Sequence, residues 1–459
     1  MNIFIFHRDL RLKDNTTLIR MIKEEESVLP IFVFPPEQID EKKNKYFSHN
    51  LVQFMIESLK ELGDKIKKYD GKLYTFKGDY IDVLKSINKV KQINSIGSNY
   101  DYSPYAKKRD DKIANFCKKN QIKFYQSEDM LLNPIMNQET FSPSTKKPYT
   151  VFTPFKNYCS QNLKVKKVDG YKSFKFSKEK LTNTKYYFTD LDSLYNFNQD
   201  INVKGGRKNA LKILKSIKNF NDYDKKRNCM NYNTTFLSAY INFNVVSIRE
   251  IYHKINKELG KKSGIINELY WRDFYYNILY FFPHVIGNSF REKYDNIVWK
   301  NNSSDFTKWK KGLTGFPIVD AAMRQMNKTG YMHNRGRMIV SSFLTKDLLI
   351  DWRKGERYFA NMLVDYNMSA NNGGWQWASG SGTDAQPYFR IFNPWTQSEK
   401  YDPNCEYIKK YIPELKDVDN KHIHHWYKHH KDHDVKYPKP MVDHSEARKE
   451  ALKVFKKYL

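Results

Sequence analysis

MNIFIFHRDLRLKDN (Met1–Asn15) opens on an apolar run, NIFIF (2–6), which has the length of a strand and reads as a buried one. A second such run, VLPIFVF (28–34), follows it. KLYTFKG (72–78), INSIGSN (93–99) and IKFYQSED (122–129) continue the series. Lys- and Glu-rich helical stretches lie between them, such as FMIESLKELGDKIKKY (54–69). Strands separated by helices of this length imply right-handed crossovers. They predict a parallel, doubly wound sheet with ligand loops at the strand ends. No GxGxxG follows the first strand, so an ordinary dinucleotide site is not expected there.

Outward from this α/β region, 1–130, the pattern changes. Residues 131–199 are rich in Lys, Thr, Ser, Asn and Tyr and read as a long connection. From 200 to 459 the pattern is helical throughout, with no second strand series and no internal repeat. The expected architecture is therefore an α/β N-terminal domain, a linker, and an all-α C-terminal domain.

Lys and Arg number 79 against 51 acids, a formal charge of +28. Such a surface attracts polyanions, with nucleic acid the leading partner and an anionic membrane the second. No apolar run is long enough to span a bilayer, and the N-terminus lacks the basic start and cleavage site of a signal peptide. A soluble, intracellular protein is expected. The four cysteines, Cys117, Cys159, Cys229 and Cys405, form no CxxC pair and suit reduced structural thiols. KHIHHWYKHHKDH (421–433) has no defined ligand spacing and reads as a basic solvated loop rather than a metal site.

Several stretches carry chemistry. In NELYWRDFYYNILYFFPH (267–284), Glu268, Trp271, Arg272 and Tyr275 stand at i, i+3, i+4 and i+7, on one helical face. Ile278, Leu279 and Phe282 supply core contacts from the opposite one. In GYMHNRGRMIVSSFLTKDLLIDWRKGERYF (330–359), Asn334, Arg337 and Met338 share a face. Asn334 and Trp352 would lie on one side of a straight helix about 27 Å long unless Gly336 interrupts it. Arg335 and Arg337 form a donor cluster for phosphates or base edges. Thr234, Thr235 and Ser238 stand at a helix start, where hydroxyls cap a helix or meet a phosphate. SANNGGWQWASGSGTDAQPYFRIFNP (369–394) joins two indoles to amides and glycines, which suits neither a packing core nor a flexible linker.

Together these blocks resemble one family. FHRDLRLKDN, TTFLSAYINF, NELYWRDFYY, GFPIVDAAMRQMNKTGYMHNRGRMIVSSFL, DWRKGERYF, ANNGGWQWASGSGTDAQPYFRIFNP and YPKPMVDHSEARKEAL are similar to the signature blocks of the DNA photolyase/cryptochrome family. Within it they resemble most the class I cyclobutane pyrimidine dimer photolyases.

That resemblance implies FAD, reduced in the active state, in the helical domain. It implies that Asn371 faces flavin N5 and Asp365 the polar edge of the ring, with Asn367 beside it where the family has a second acid. Thr234, Thr235, Leu237 and Ser238 would hold the pyrophosphate, with Tyr223, Arg272 and Arg337 adding contacts. Trp375, Trp352 and Trp299 would relay electrons from the surface. Glu268 would hydrogen-bond a flipped-out dimer between the apolar walls of Trp271 and Trp377, beside Tyr275 and Met338. Arg227, Asn334, Arg335 and Gln397 would meet DNA. The partner expected is UV-damaged DNA, bound by a monomer.

Three departures stand out. Ile286 and Gly287 replace the Cys–Lys pair of the folate-antenna pattern, Ile265 replaces a Trp, and Asn367 replaces an acid. A second, antenna chromophore is compatible with the resemblance but is not identified by it. Repair of (6-4) photoproducts and a photosensor without repair stay as alternatives. The end at Leu459, soon after YPKPMVDHSEAR, is expected to leave no long signalling tail. A basic nucleic-acid-binding protein without chemistry would not account for the flavin-contact blocks.

Overall fold

A computed structural model describes residues 1–458. Each apolar run becomes a strand: β1 (Asn2–Phe6), β2 (Leu29–Phe34), β3 (Tyr74–Lys77), β4 (Ser95–Asn99) and β5 (Lys123–Ser127). All pair in parallel, in the order β3-β2-β1-β4-β5. Helices Thr16–Glu24, His49–Lys67, Tyr80–Val90 and Pro104–Lys119 make the crossovers. Asn15, Ser48, Asp79 and Ser103 cap them by accepting first-turn N–H groups. All six residues of β2 are buried, which is why it reads as a continuous apolar run rather than an alternating one. The order reverses at β1, the point where open α/β sheets form a crevice.

The chain divides into two compact units whose limits differ from the boundaries read at 130 and 199. The first comprises Met1–Asn198, Val203–Asn221 and Thr235–Phe281. The second comprises Gln199–Asn202, Asp222–Thr234 and Phe282–Leu459. Helices Ile248–Leu259 and Gly264–Phe281 therefore group with the sheet, and ionic and polar contacts explain why. Arg249 reaches Asp14 at 2.8 Å and Asp129 at 2.9 Å, and Arg11 pairs with Asp129 at 2.6 Å, all buried. Burial raises the Asp129 carboxyl, but the two guanidiniums outweigh it and hold the group well below the usual carboxylate range. The Leu132 N–H donates to Asp273 at 2.7 Å, and Thr140 Oγ1 to Asn277 at 3.0 Å.

Segment 131–199 is more ordered than its composition implies. It contains helix Phe152–Asn162 and two bridges to the sheet, Val28 to Phe176 and Phe76 to Tyr187. Its isolated aromatics do the packing, without the periodicity that would reveal an element. Phe176 sits where a Cβ on Gly71 would come within 2.6 Å of it.

The second unit has no strand among its described residues. Its helices include Pro317–Thr329, Asn334–Ser342, Trp352–Met362, Met368–Ser379, Pro394–Tyr401 and His444–Lys457. The straight helix read from Asn334 to Trp352 does not exist. Asn334–Ser342 passes into a π-helical turn, Phe343–Asp347, and Leu349 then adopts φ 47°. Asp351 caps a new helix by accepting the Arg353 N–H. Gly336 does not interrupt; it is buried, with Ala322, Met332 and Met230 around it.

Phe282 lies beyond the end of Gly264–Phe281 and so is no part of its core face. The histidine stretch is not a solvated loop, since it forms helices Asn420–His424 and Trp426–His429 with Ile423, His424 and Trp426 buried. His422 and His433 hydrogen-bond at 2.8 Å, but among the described residues no cluster of three ligands could hold a metal ion. Nor is any described helix long and apolar enough to cross a membrane.

Candidate functional site

In the first unit the site residues cluster on Gly264–Phe281. Most of that helix is buried, while Asn267, Glu268, Trp271, Arg272 and Tyr275 form its half-buried stripe. The spacing read from the sequence thus becomes one open face. Trp271 stacks on Phe152 with ring centroids 3.6 Å apart and planes 8° from parallel, and Tyr275 lies 5.6 Å from it. The result is a rigid aromatic wall beside a carboxylate.

Arg272 Nη1 donates to the Met130 carbonyl at 2.9 Å and to Asp273 at 3.0 Å. Its Nε and Nη2 are buried without a partner. A guanidinium left with two unused, buried donors is poised for an anion, since unmade hydrogen bonds to a charged group are costly. Burial pushes the Asp273 carboxyl up to about 6, against the opposing pull of Arg272.

Thr235, Leu237 and Ser238 also belong to this unit. Phe236 sits at φ 52°, Thr235 Oγ1 accepts the Leu237 N–H at 3.4 Å, and a five-residue helix, Ser238–Asn242, follows. Leu237 occupies its cap position, is buried, and offers only backbone. Thr234 falls in the second unit, where its hydroxyl meets Tyr331 at 3.5 Å.

In the second unit, GGWQWAS is helical, not extended. Asn367 caps Met368–Ser379 by accepting the Ala370 N–H, and Gly380 ends it in the left-handed region at φ 85°. Asn371 and Trp375 are one turn apart on it. Trp375 is buried against helix Trp352–Met362, where Gly355 supplies the space: a Cβ there would lie 2.2 Å from the indole. Phe359 and Trp309 complete its surroundings at 5.0 and 6.1 Å. Trp352 is fully buried, whereas Trp299 and Trp377 are half-buried.

The structure adds a residue that sequence reasoning missed. Asn371 Nδ2 donates to Glu356 Oε1 at 2.9 Å and to the Glu356 carbonyl at 3.1 Å. Its amide is thereby oriented through Nδ2, and Oδ1 makes no hydrogen bond. Burial pushes the Glu356 carboxyl up to about 7, while the Asn371 amide pulls the other way. The signal available in DWRKGERYF was the i, i+4 spacing of Trp352 and Glu356.

Arg337 Nη2 pairs with Asp365 at 2.9 Å, and its Nε donates to the Met332 carbonyl. Asn334 is exposed and its Nδ2 lies 3.9 Å from Met338 Sδ, so these two do share a face. Arg335 donates to Asn228 at 2.8 Å and lies 4.4 Å over the Tyr401 ring, leaving Nε buried and unused. Gln397 Oε1 is likewise buried without a partner. Arg227 is exposed and Tyr223 half-buried.

His333 is not on the helix at all. It is the N-cap of Asn334–Ser342, its Nδ1 accepting the Arg335 N–H at 3.1 Å.

Comparison with known proteins agrees along the whole chain. Residues 2–172 match the family model described as DNA photolyase, and residues 265–457 that described as FAD binding domain of DNA photolyase. The deoxyribodipyrimidine photo-lyase of Alkalihalophilus pseudofirmus is 38% identical over 98% of this chain and 97% of its own length. That of Escherichia coli is 34% identical over 98% and 97%. The crystal structure of an archaeal photolyase from Sulfolobus tokodaii, with two FAD molecules, superimposes with a TM-score of 0.88 at 39% identity, covering all of both chains.

Proposed function

The chain belongs to the DNA photolyase family, and on that basis we propose that it is a deoxyribodipyrimidine photo-lyase that splits cyclobutane pyrimidine dimers in light. The observation that carries this reading is the half-buried stripe of Glu268, Trp271, Arg272 and Tyr275, in a chain whose curated relatives carry that name over nearly their full length. FAD, in its reduced form, supplies the light-driven electron that opens the dimer. The protein supplies binding, orientation and electrostatics.

Three features support a flavin fit. The unused donors of Arg272 suit an anionic group. The Arg337–Asp365 pair offers both a cation and an acceptor. The Oδ1 of Asn371, which makes no hydrogen bond, suits an N–H on the ring, and Glu356 holds the amide through Nδ2. Tyr223, Thr234, Thr235, Leu237, Ser238 and Asn367 complete the proposed contacts.

Photolyases act on a base taken out of the stack. Trp271 and Trp377 offer apolar faces to it. The Glu268 carboxyl exchanges hydrogen bonds with pyrimidine carbonyl and imide groups. Arg227, Asn334, Arg335 and Gln397 are assigned to DNA. The direct test irradiates the reduced protein with an oligonucleotide holding one thymine dimer and follows the products by chromatography. Restored thymines support the reading; an unchanged dimer with flavin bound overturns it.

Two variants probe the substrate side. Glu268→Ala is expected to fold and keep flavin, because Glu268 lies on the open stripe and not in the core. Its repair yield per absorbed photon should fall roughly three- to tenfold, the value of a hydrogen bond worth about 1 kcal/mol. An unchanged yield would remove Glu268 from the site. Arg335→Ala should weaken DNA binding and lower the slope of log K against log salt by about one, as the loss of one phosphate contact requires. Fluorescence titrations at several salt concentrations read this directly.

A further inference from the structure

A buried lysine that none of the roles above uses lies in the second unit. Lys346 stands in the π-helical turn Phe343–Asp347 and is 1% exposed. Single π turns insert an extra residue and recur at functional sites. Its Nζ donates to the Ser379 carbonyl at 2.9 Å, one turn beyond Trp375 on the same helix. The same Nζ lies 3.2 Å from the centroid of the Phe455 ring. Phe455 in turn meets Trp299 edge-on, with centroids 5.9 Å apart and planes at 81°. One benzene ring therefore separates this amine from the outermost indole of the relay.

No acid pairs with Lys346. Asp347 Oδ1 accepts from His444 Nδ1, while its Oδ2 is buried without a partner. Arg337 on Asn334–Ser342 is paired with Asp365. On Trp352–Met362, Glu356 receives Asn371 and Arg353 pairs with Asp295. On His444–Lys457, Glu450 pairs with Lys300 and Glu446 with Lys449. Met368–Ser379 has no ionisable side chain. Buried cations are normally paired with an acid, and a methionine would fill this volume without the cost of desolvating one. Burial accordingly lowers the Lys346 amine well below the ordinary lysine range.

We propose that Lys346 sets the pH dependence of the tryptophan relay: as an ammonium it opposes a positive hole on Trp299, and as a neutral amine it lets the hole settle there. The proposal rests on the relay assigned to Trp375, Trp352 and Trp299. In that relay one electron leaves Trp375 for the cofactor. Trp352 refills Trp375, Trp299 refills Trp352, and a thiol reductant in solution returns one electron to Trp299. Lys346 gains and loses nothing in these steps. It acts through the indole, as a positioning charge in a low-dielectric interior where Coulomb terms are large.

The experiment uses the flavin-loaded protein and its Lys346→Met and Lys346→Arg variants. Light-driven reduction of the oxidised flavin in the parent should rise with pH, on the order of tenfold from the ammonium to the amine form. Lys346→Met should be fast and flat with pH, and Lys346→Arg slow and flat. Carbon-13 NMR of the lysine Cε groups should show one signal titrating well below the others and missing from Lys346→Met.

The same pH slope in the parent and in Lys346→Met would overturn the proposal, whether or not Lys346→Arg folds. So would a Lys346 amine that titrates with the bulk of the lysines. Failure of the relay reading shows separately, as normal photoreduction in Trp375→Phe. Failure of the repair reading shows as no repair by chemically reduced parent protein. All three proteins, once chemically reduced, should repair alike, because repair by reduced flavin needs no relay.

Discussion

Trp375→Phe is expected to abolish light-driven reduction of the bound oxidised flavin while leaving repair by chemically reduced protein intact. The indole is almost wholly buried, set in the notch left by Gly355 and flanked by Phe359 and Trp309. A phenyl ring fills most of that volume, so the cost is that of a small cavity, roughly 1–2 kcal/mol, and the fold should survive. What phenylalanine cannot do is give up an electron as readily as indole. Removing the first donor leaves Trp352 and Trp299 intact but disconnected. The measurement is bleaching of the blue flavin band under steady illumination with a thiol reductant, in parent and variant. Dithionite-reduced samples of both should clear thymine dimers equally. Normal bleaching in the variant would remove Trp375, and with it the assigned relay. A loss of repair in the reduced variant would instead make Trp375 part of the dimer chemistry.

A reduced protein irradiated with a (6-4) photoproduct should leave it untouched, while the cyclobutane dimer is lost under the same light. The family resemblance implies that (6-4) enzymes use two histidines four residues apart to transfer a proton to the lesion. The matching positions here are Asn334 and Met338, 3.9 Å apart through Nδ2 and Sδ. An amide does not titrate near neutrality and a thioether is only a weak acceptor, so neither moves a proton.

The neighbouring His333 does not substitute, because it is the N-cap of the helix. Its ring Nδ1 caps the helix, and its backbone N–H donates to Gln325 Oε1 at 3.2 Å. Burial, with Arg337 and Arg335 adding to it, lowers the imidazole to about 4. It is neutral at working pH and gives no proton. Opening a cyclobutane needs only an electron lent and returned, with no group transfer. Chromatography of the two lesions after identical exposures decides the matter, and restoration of the (6-4) lesion would overturn the assignment.

These expectations rest on two kinds of information. β1 and β2 were legible because each is a short apolar run that is almost wholly buried, and such a run carries its own signal; β3, β4 and β5 were legible from their alternation with helical stretches. The stripe of Glu268, Trp271, Arg272 and Tyr275 was legible because helical period alone fixes which side chains share a face. Asn334 and Met338 were legible for the same reason, since four residues is one turn.

Where the reading went further than a turn or two, it failed. The supposed helix from Asn334 to Trp352 breaks at a π turn and at Leu349, whose left-handed backbone no local pattern announces. Segment 131–199 looks structureless because its aromatics, Phe152 and Phe176 among them, find partners far away in sequence.

The sequence by itself determined the α/β sheet, the helical half, the net positive charge and which side chains share the Glu268 stripe. Those follow from composition, period and motif, which are local. Only the tertiary structure decided that Glu356 holds the Asn371 amide, that Arg272 keeps two donors unused, that His333 is a cap, and that Lys346 lies buried beside Phe455 without an acid. Each is a statement about which polar atom has a partner. A hydrogen bond or a desolvated charge is set by groups that meet through space, so no window of sequence contains it.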